Sequence, residues 1–150
     1  MDGESSYRVT ATWQNKRRGA VSAEGIEPSI EFSTPPEFKG EAGFWTPEHL
    51  LVAAVGSCYV ATFYAIAEIS KLEFLGLQLT VEGKLGKPEG KLRFTELRLK
   101  PMLTIAHGQD VDRANRLLEK AEHGCLIARS LVCPVSLETS ILTADEILAF

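Results

Sequence analysis

The chain has no C-x-x-C pair, no H-x-x-x-H, no G-x-S-x-G and no glycine-rich phosphate loop anywhere in its 150 residues. Zinc ligands ordinarily come in short Cys or His pairs, so a structural metal site has no support, and His123-Gly124-Cys125 is the only close His/Cys pair. The missing motifs also remove serine-hydrolase, kinase and dinucleotide-binding readings, and no cofactor is expected. Cationic runs are equally scarce: Lys16-Arg17-Arg18 stands alone in a chain of net charge −4 and pI about 5.4. A broad nucleic-acid surface needs clustered Lys and Arg to displace phosphate counterions, so no nucleic-acid partner is expected. Only three cysteines occur, an odd number, which does not fit a disulfide-stapled extracellular scaffold. The first residues lack a basic region followed by an apolar stretch, so nothing resembles a secretory signal and a cytoplasmic location is expected.

One long apolar run is present. Residues 50–67 approach the ~18 residues that a membrane span requires, but the run contains Gly56, Ser57, Cys58 and Thr62. A helix apolar on all sides is better explained as the fully buried central helix of a folded domain, so no membrane partner is expected. Thr46 is placed to cap it and Pro47 suits the first helical position, where no amide donor is needed. The helix should run to about Lys71.

Around that helix the patterning is that of strands. Tyr7, Val9, Ala11 and Trp13 alternate with polar residues, as in a strand with one buried face. Residues 19–23 read as its hairpin partner, and residues 29–33 as a third strand ended by Thr34-Pro35-Pro36. Residues 35–45 read as an irregular loop. Leu77, Leu79, Val81 and Leu85 mark a fourth strand, the turn 86–90 follows, and a return strand covers about 91–106 with a bulge near Thr95 and Glu96. Asp110 should cap a second helix whose inner face carries Val111, Ala114, Leu117, Leu118 and Ala121, with Gly124 at its end. A short helical piece over 126–131 leads to a final strand in which Cys133, Val135, Leu137 and Ile141 share one side. Strands, helix, hairpin, helix, strand is an α+β order, without repeat or linker, and a single domain over 1–150 is expected. With so few elements facing the core, apolar surface remains uncovered, which points to a homodimer.

Cysteine is often a small buried hydrophobe, so each thiol needs a reason to be reactive. Cys133 has none: it precedes Pro134 and reads as packing. Cys58 interrupts a run of larger apolar residues with Gly56 and Ser57, leaving room for an approaching molecule. Cys125 directly follows Gly124 and opens the short helix, whose amide dipoles would favour a thiolate.

The stretch T-P-E-H-L-L-V-A-A-V-G-S-C, with Glu48 ten residues before Cys58, resembles the N-P-E-x-L…A-C signature of the OsmC/Ohr family. These are the osmotically inducible protein C and organic hydroperoxide resistance proteins. A-E-H-G-C-L-I-A-R-S-L around Cys125 resembles it too, as does the opening strand followed by K-R-R-G-A-V-S. Thr46 stands where the family usually has Asn, and Leu126 where Pro is frequent. The resemblance implies an OsmC-like α+β fold, with antiparallel sheets packed on the central helix of an intertwined homodimer and sites at the subunit interface. It implies an antioxidant thiol peroxidase of the oxidative stress response, which reduces organic hydroperoxides to alcohols. Cys58 would become a sulfenic acid, and Cys125 would condense with it to a disulfide. Arg18 or Arg17 would supply the family's guanidinium and Glu48 its carboxylate, orienting that guanidinium. By the same resemblance the reductant is a dithiol, a lipoylated protein or a small lipoyl-like molecule. Ten helical residues span about 15 Å, so Glu48 cannot touch Cys58 along one continuous helix. The helix must start late or bend, or a partner subunit must supply the carboxylate. Phe38, Phe44, Trp45, Tyr59 and Phe63 are candidate lining for an apolar pocket, and equally good core residues. Two other functions compete with the peroxidase: a small-molecule-binding module of the same fold, and a structural dimer with incidental thiols.

Overall fold

A computed structural model describes residues 3–144. The chain divides into two compact units, Met1–Leu51 and Val52–Phe150.

The first unit is a three-stranded antiparallel meander of β1 (Thr10–Asn15), β2 (Arg18–Ala23) and β3 (Ile26–Ser33), in that spatial order. The register sets Ala11 beside Val21 and Val21 beside Ile30, with Trp13, Gly19 and Phe32 in the next row. Strand alternation therefore gathers the apolar residues on one face. Among the described residues every residue of β1 is exposed, and Trp13 is 73% exposed. The expectation that this strand has a buried side is corrected accordingly. An apolar sheet face needs a second layer, and none is laid on β1 here. The third strand starts three residues earlier than expected and runs through Pro28, which an edge strand tolerates because one row of its amides has no ladder partner.

The long helix α1 (Pro47–Ile69) opens as its cap predicts: the Thr46 hydroxyl accepts the His49 amide at 3.1 Å. Its burial differs from expectation. Val55, Tyr59, Phe63 and Ala67, at helical spacing, form a buried stripe, while Val60, Tyr64 and Ile69 are exposed, Tyr64 by 57%. The helix is apolar all round because its composition is, with a mean hydropathy of 1.9 that also meets the length and apolarity of a membrane span. The stripe, flanked by partly buried Val52, Cys58 and Ile66, packs on a partner surface.

That surface is a four-stranded sheet. β4 (Phe74–Gly86) pairs antiparallel with β5 (Arg93–Ile105), setting Leu77 opposite Leu103 and Val81 opposite Leu99. Lys84 pairs with Glu96 and Leu85 with Phe94, which leaves Thr95 as the extra residue of the foreseen bulge. The bulge is what turns Leu97, Leu99 and Leu103 inward, each without exposure, and burying such a side chain contributes ~1.5–3 kcal/mol. Gly83 keeps the packing close: a Cβ there would lie 2.7 Å from Phe94 and 2.9 Å from Val52. The other face is polar, with Lys100 2.7 Å from Glu82 and Arg98 paired with Glu96.

α2 (Val111–Gly124) is capped by Asp110, which accepts the Arg113 amide at 3.1 Å. Ala114, Leu117, Leu118 and Ala121 are buried as expected, whereas Val111, in the first turn, is 43% exposed. α3 (Leu126–Arg129) is a single turn. The final strand is two strands, β6 (Val135–Leu137) and β7 (Ser140–Thr143), both parallel to β5. The Glu138 amide closes the β5–β6 ladder on the Leu99 carbonyl at 2.9 Å, and the gap before β7 falls opposite Lys100 and Pro101, where proline has no amide to pair; there the Thr139 hydroxyl donates to Asn115 at 2.8 Å. Cys133 lies in the bend before β6, half-buried against the core, and not on a strand.

Candidate active site

Cys58 sits one residue before the buried stripe position Tyr59, so the helix turns its thiol to the edge of the core, where it is half-buried. Cys125 is fully buried at the junction of α2 and α3. Its thiol donates to the Val55 carbonyl at 3.8 Å, one turn before Cys58 on α1. The two thiols lie near enough for each to shift the acidity of the other. Two contacts hold the helices in this arrangement. The Tyr59 hydroxyl, fully buried, donates to the Leu118 carbonyl of α2 at 2.9 Å. At the end of α2, Gly124 lies so near Thr62 that a Cβ would meet its methyl at 3.3 Å.

The pair is electrostatically unequal. Burial pushes the Cys58 thiol up, but the Ile127 amide, the neighbouring Cys125 side chain, the Thr62 hydroxyl and the Leu126 amide outweigh it, and its pKa falls below the ordinary thiol value. The Thr62 oxygen is 3.9 Å from the sulfur, one helical turn on. Burial pushes Cys125 up as well; the Ala128 amide opposes this, and neighbouring Cys58 adds to the rise. Cys58 is thus the more acidic of the two sulfurs. This corrects the expectation that the short helix activates Cys125. Two of its amides serve Cys58 instead, and the one that chiefly serves Cys125 does not offset burial.

In the first unit, Arg18 follows the β1–β2 turn. Its guanidinium stands 4.1 Å over the Phe44 ring, with Glu31 and Glu41 each at 3.4 Å. Its Nε is buried without a well-aligned acceptor. Arg17 is exposed, and its carbonyl accepts the Thr34 amide at 3.1 Å. Glu48 lies in the first turn of α1 with Oε1 buried and no hydrogen-bond partner. Because α1 begins at Pro47 and continues to Ile69, neither a late start nor a break shortens the ten helical residues from Glu48 to Cys58. Of the aromatics considered for a pocket, Tyr59 and Phe63 are core residues, Phe63 packing edge-on to Phe74 at 5.3 Å. Phe44 and Trp45, with Gly43 and His49, line a cavity of about 250 Å³, and Phe38 is partly buried. Among the described residues no group of three or more His, Cys, Asp and Glu side chains comes together as a metal site.

Thr62 escaped the sequence reading although its i+4 spacing from Cys58 was visible. Glu31 and Glu41 carried no signal, since their role depends on strand register and loop course.

Residues 40–140 match the family model described as OsmC-like protein. An uncharacterised Bacillus subtilis protein, YmaD, is 28% identical over 135 residues, covering 88% of this chain and 90% of its own. An OsmC-like protein of unknown function from Vibrio cholerae superposes with a TM-score of 0.83 at 23% identity, covering 91% of this chain and 99% of the other. An organic hydroperoxide resistance protein from Elizabethkingia anophelis superposes with a TM-score of 0.75 at 19% identity, covering 95% and 99%.

Proposed function

The chain belongs to the OsmC-like protein family, and from that premise we propose that it is a thiol peroxidase that reduces organic hydroperoxides to alcohols. The observation that carries this reading is a pair of neighbouring thiols of opposed acidity, Cys58 half-buried and lowered and Cys125 buried and raised. A peroxidatic sulfur must be a thiolate and partly accessible, and a resolving sulfur must wait beside it.

The Cys58 thiolate attacks the terminal oxygen of ROOH. A sulfur–oxygen bond forms, the oxygen–oxygen bond breaks, and the leaving alkoxide takes up a proton to depart as alcohol. The Cys125 thiol then displaces hydroxide from the sulfenic acid, its proton completing the departing water, and the two sulfurs are joined. Two electrons have moved from the thiols to the peroxide. An external dithiol, of the lipoyl type or a small molecule, exchanges with the disulfide and restores both thiols.

Arg18 is the proposed cation of the first step, stabilising the thiolate and the charge on the departing oxygen. Its half-buried, ring-stacked guanidinium suits this better than exposed Arg17. Glu48 is the proposed carboxylate partner, and its unsatisfied buried oxygen calls for a donor. A homodimer is proposed because the apolar faces of β1–β3 and α1 remain uncovered. In it a second copy would supply the carboxylate that helical rise keeps from Cys58. A reducing, cytoplasmic setting fits thiols that must be returned to the reduced state.

Titration of the reduced protein with cumene hydroperoxide tests the proposal. Two thiols should disappear per alcohol formed, and Cys58→Ser should abolish both signals. Unchanged thiols with saturable binding would instead indicate a binding module, and neither signal a structural dimer.

A further inference from the structure

The loop that follows β3 is fixed at both ends. The Ser33 hydroxyl, fully buried, donates to the Thr34 carbonyl at 3.0 Å and accepts the Glu41 amide at 2.9 Å. Gly40 donates to the Pro35 carbonyl at 3.0 Å and tolerates no side chain, since a Cβ would lie 1.5 Å from the Thr34 oxygen. At the far end the Ser33 amide donates to the Trp45 carbonyl at 2.8 Å, and Phe32 bridges Trp45 in parallel. Between these anchors the loop holds the Phe44 ring beneath Arg18, 4.1 Å from the guanidinium carbon. The two carboxylates at the edge of the guanidinium are weaker restraints: Glu31 and Glu41 are 56% and 60% exposed, and each is 3.4 Å away. Exposed ion pairs at that distance contribute little. A ring face, by contrast, fixes the plane of a cation stacked on it.

We propose that Phe44 is a positioning residue for Arg18, setting the plane in which the guanidinium meets the peroxide and acting without contact to the substrate. The inference rests on the reading of Arg18 as the cation of the peroxide step. It separates Phe44 from Trp45 and His49, its neighbours around the adjoining cavity. A lining residue would sense the size of the organic group, and a positioning residue acts only through the arginine.

The test is a double-mutant cycle on the rate constant for oxidation of Cys58, measured with tert-butyl and with cumene hydroperoxide. Phe44→Leu should slow both about fivefold, the effect of losing a partly shielded cation–π contact, and Phe44→Trp should retain the wild-type rate. In an Arg18→Ala background, Phe44→Leu should have no further effect. If its loss persists there, or differs between the two peroxides, the positioning role is overturned while the role of Arg18 stands. If Arg18→Ala is itself harmless, both readings fall together. Pentafluorophenylalanine at position 44 keeps the shape of the ring and reverses the charge of its face, so it decides the matter if the leucine variant does not fold. Loss of rate supports the proposal, and an unchanged rate overturns it.

Discussion

Tyr59→Phe tests the latch between the helices that carry the two thiols. The substitution keeps the ring, so no cavity opens, and it removes one buried hydrogen bond of 2.9 Å to Leu118. As an interior carbonyl of α2, Leu118 keeps its helical partner, so no acceptor is orphaned and the loss should be ~1 kcal/mol, the net value of an ordinary internal hydrogen bond. With a urea dependence of roughly 2 kcal/mol per molar, the unfolding midpoint should fall by about 0.5 M with the slope unchanged. The pH dependence gives a second, sharper mark. Burial, with Glu122 and Cys125 nearby, raises the Tyr59 phenol well above its ordinary value near 10. A group whose folded pKa is raised contributes stability below the unfolded pKa and loses it as pH climbs through the interval above. About one unit above the free phenol's pKa, ionisation of the unfolded chain costs wild type ~1.4 kcal/mol. The phenylalanine variant does not share that loss, so near that pH the order of stabilities should invert. Urea titrations from neutral pH upward, at fixed protein concentration, measure both effects. An unchanged midpoint, or a difference that stays constant across the alkaline range, would refute the latch.

Arg18→Ala should raise the pKa of Cys58 and slow its oxidation by at least ~10²-fold, as expected for loss of an electrostatic stabiliser. Arg17→Ala should leave both unchanged, and stopped-flow kinetics of the two variants decides between them. Because Cys58 is lowered and Cys125 raised, iodoacetamide should modify Cys58 first as pH rises towards the thiol range, with Cys125 protected until much higher pH. Peptide mapping of partially alkylated protein reads that order. Asp110→Ala removes the cap on the Arg113 amide and should cost ~1 kcal/mol of stability, visible as a lower urea midpoint with peroxide chemistry intact.

The elements of this fold were legible where local chemistry decides them. Thr46 and Asp110 cap the helices they were expected to cap, and the change of apolar parity after Phe94 located the bulge at Thr95. Burial was less legible, because it depends on what lies opposite. Nothing in the alternation of β1 or the uniform apolarity of α1 reveals that, among the described residues, β1 is exposed throughout and α1 is fully buried along one stripe only. The break between β6 and β7 falls opposite Lys100 and Pro101 of β5, so it depends on a register between strands distant in sequence. The two cysteines could be singled out from their settings, yet the thiolate expected at Cys125 is opposed by its burial. The direction in which the amides of Leu126 and Ile127 point is a property of the assembled helices and has no sequence signature.

The most direct measurement is peptide mapping without reduction, after one equivalent of cumene hydroperoxide has been added to the fully reduced protein. The predicted result is a chain lighter by two hydrogens, with the Cys58 and Cys125 peptides joined and Cys133 free. Three separate thiols, or a crosslink that engages Cys133 in place of Cys125, would contradict the account.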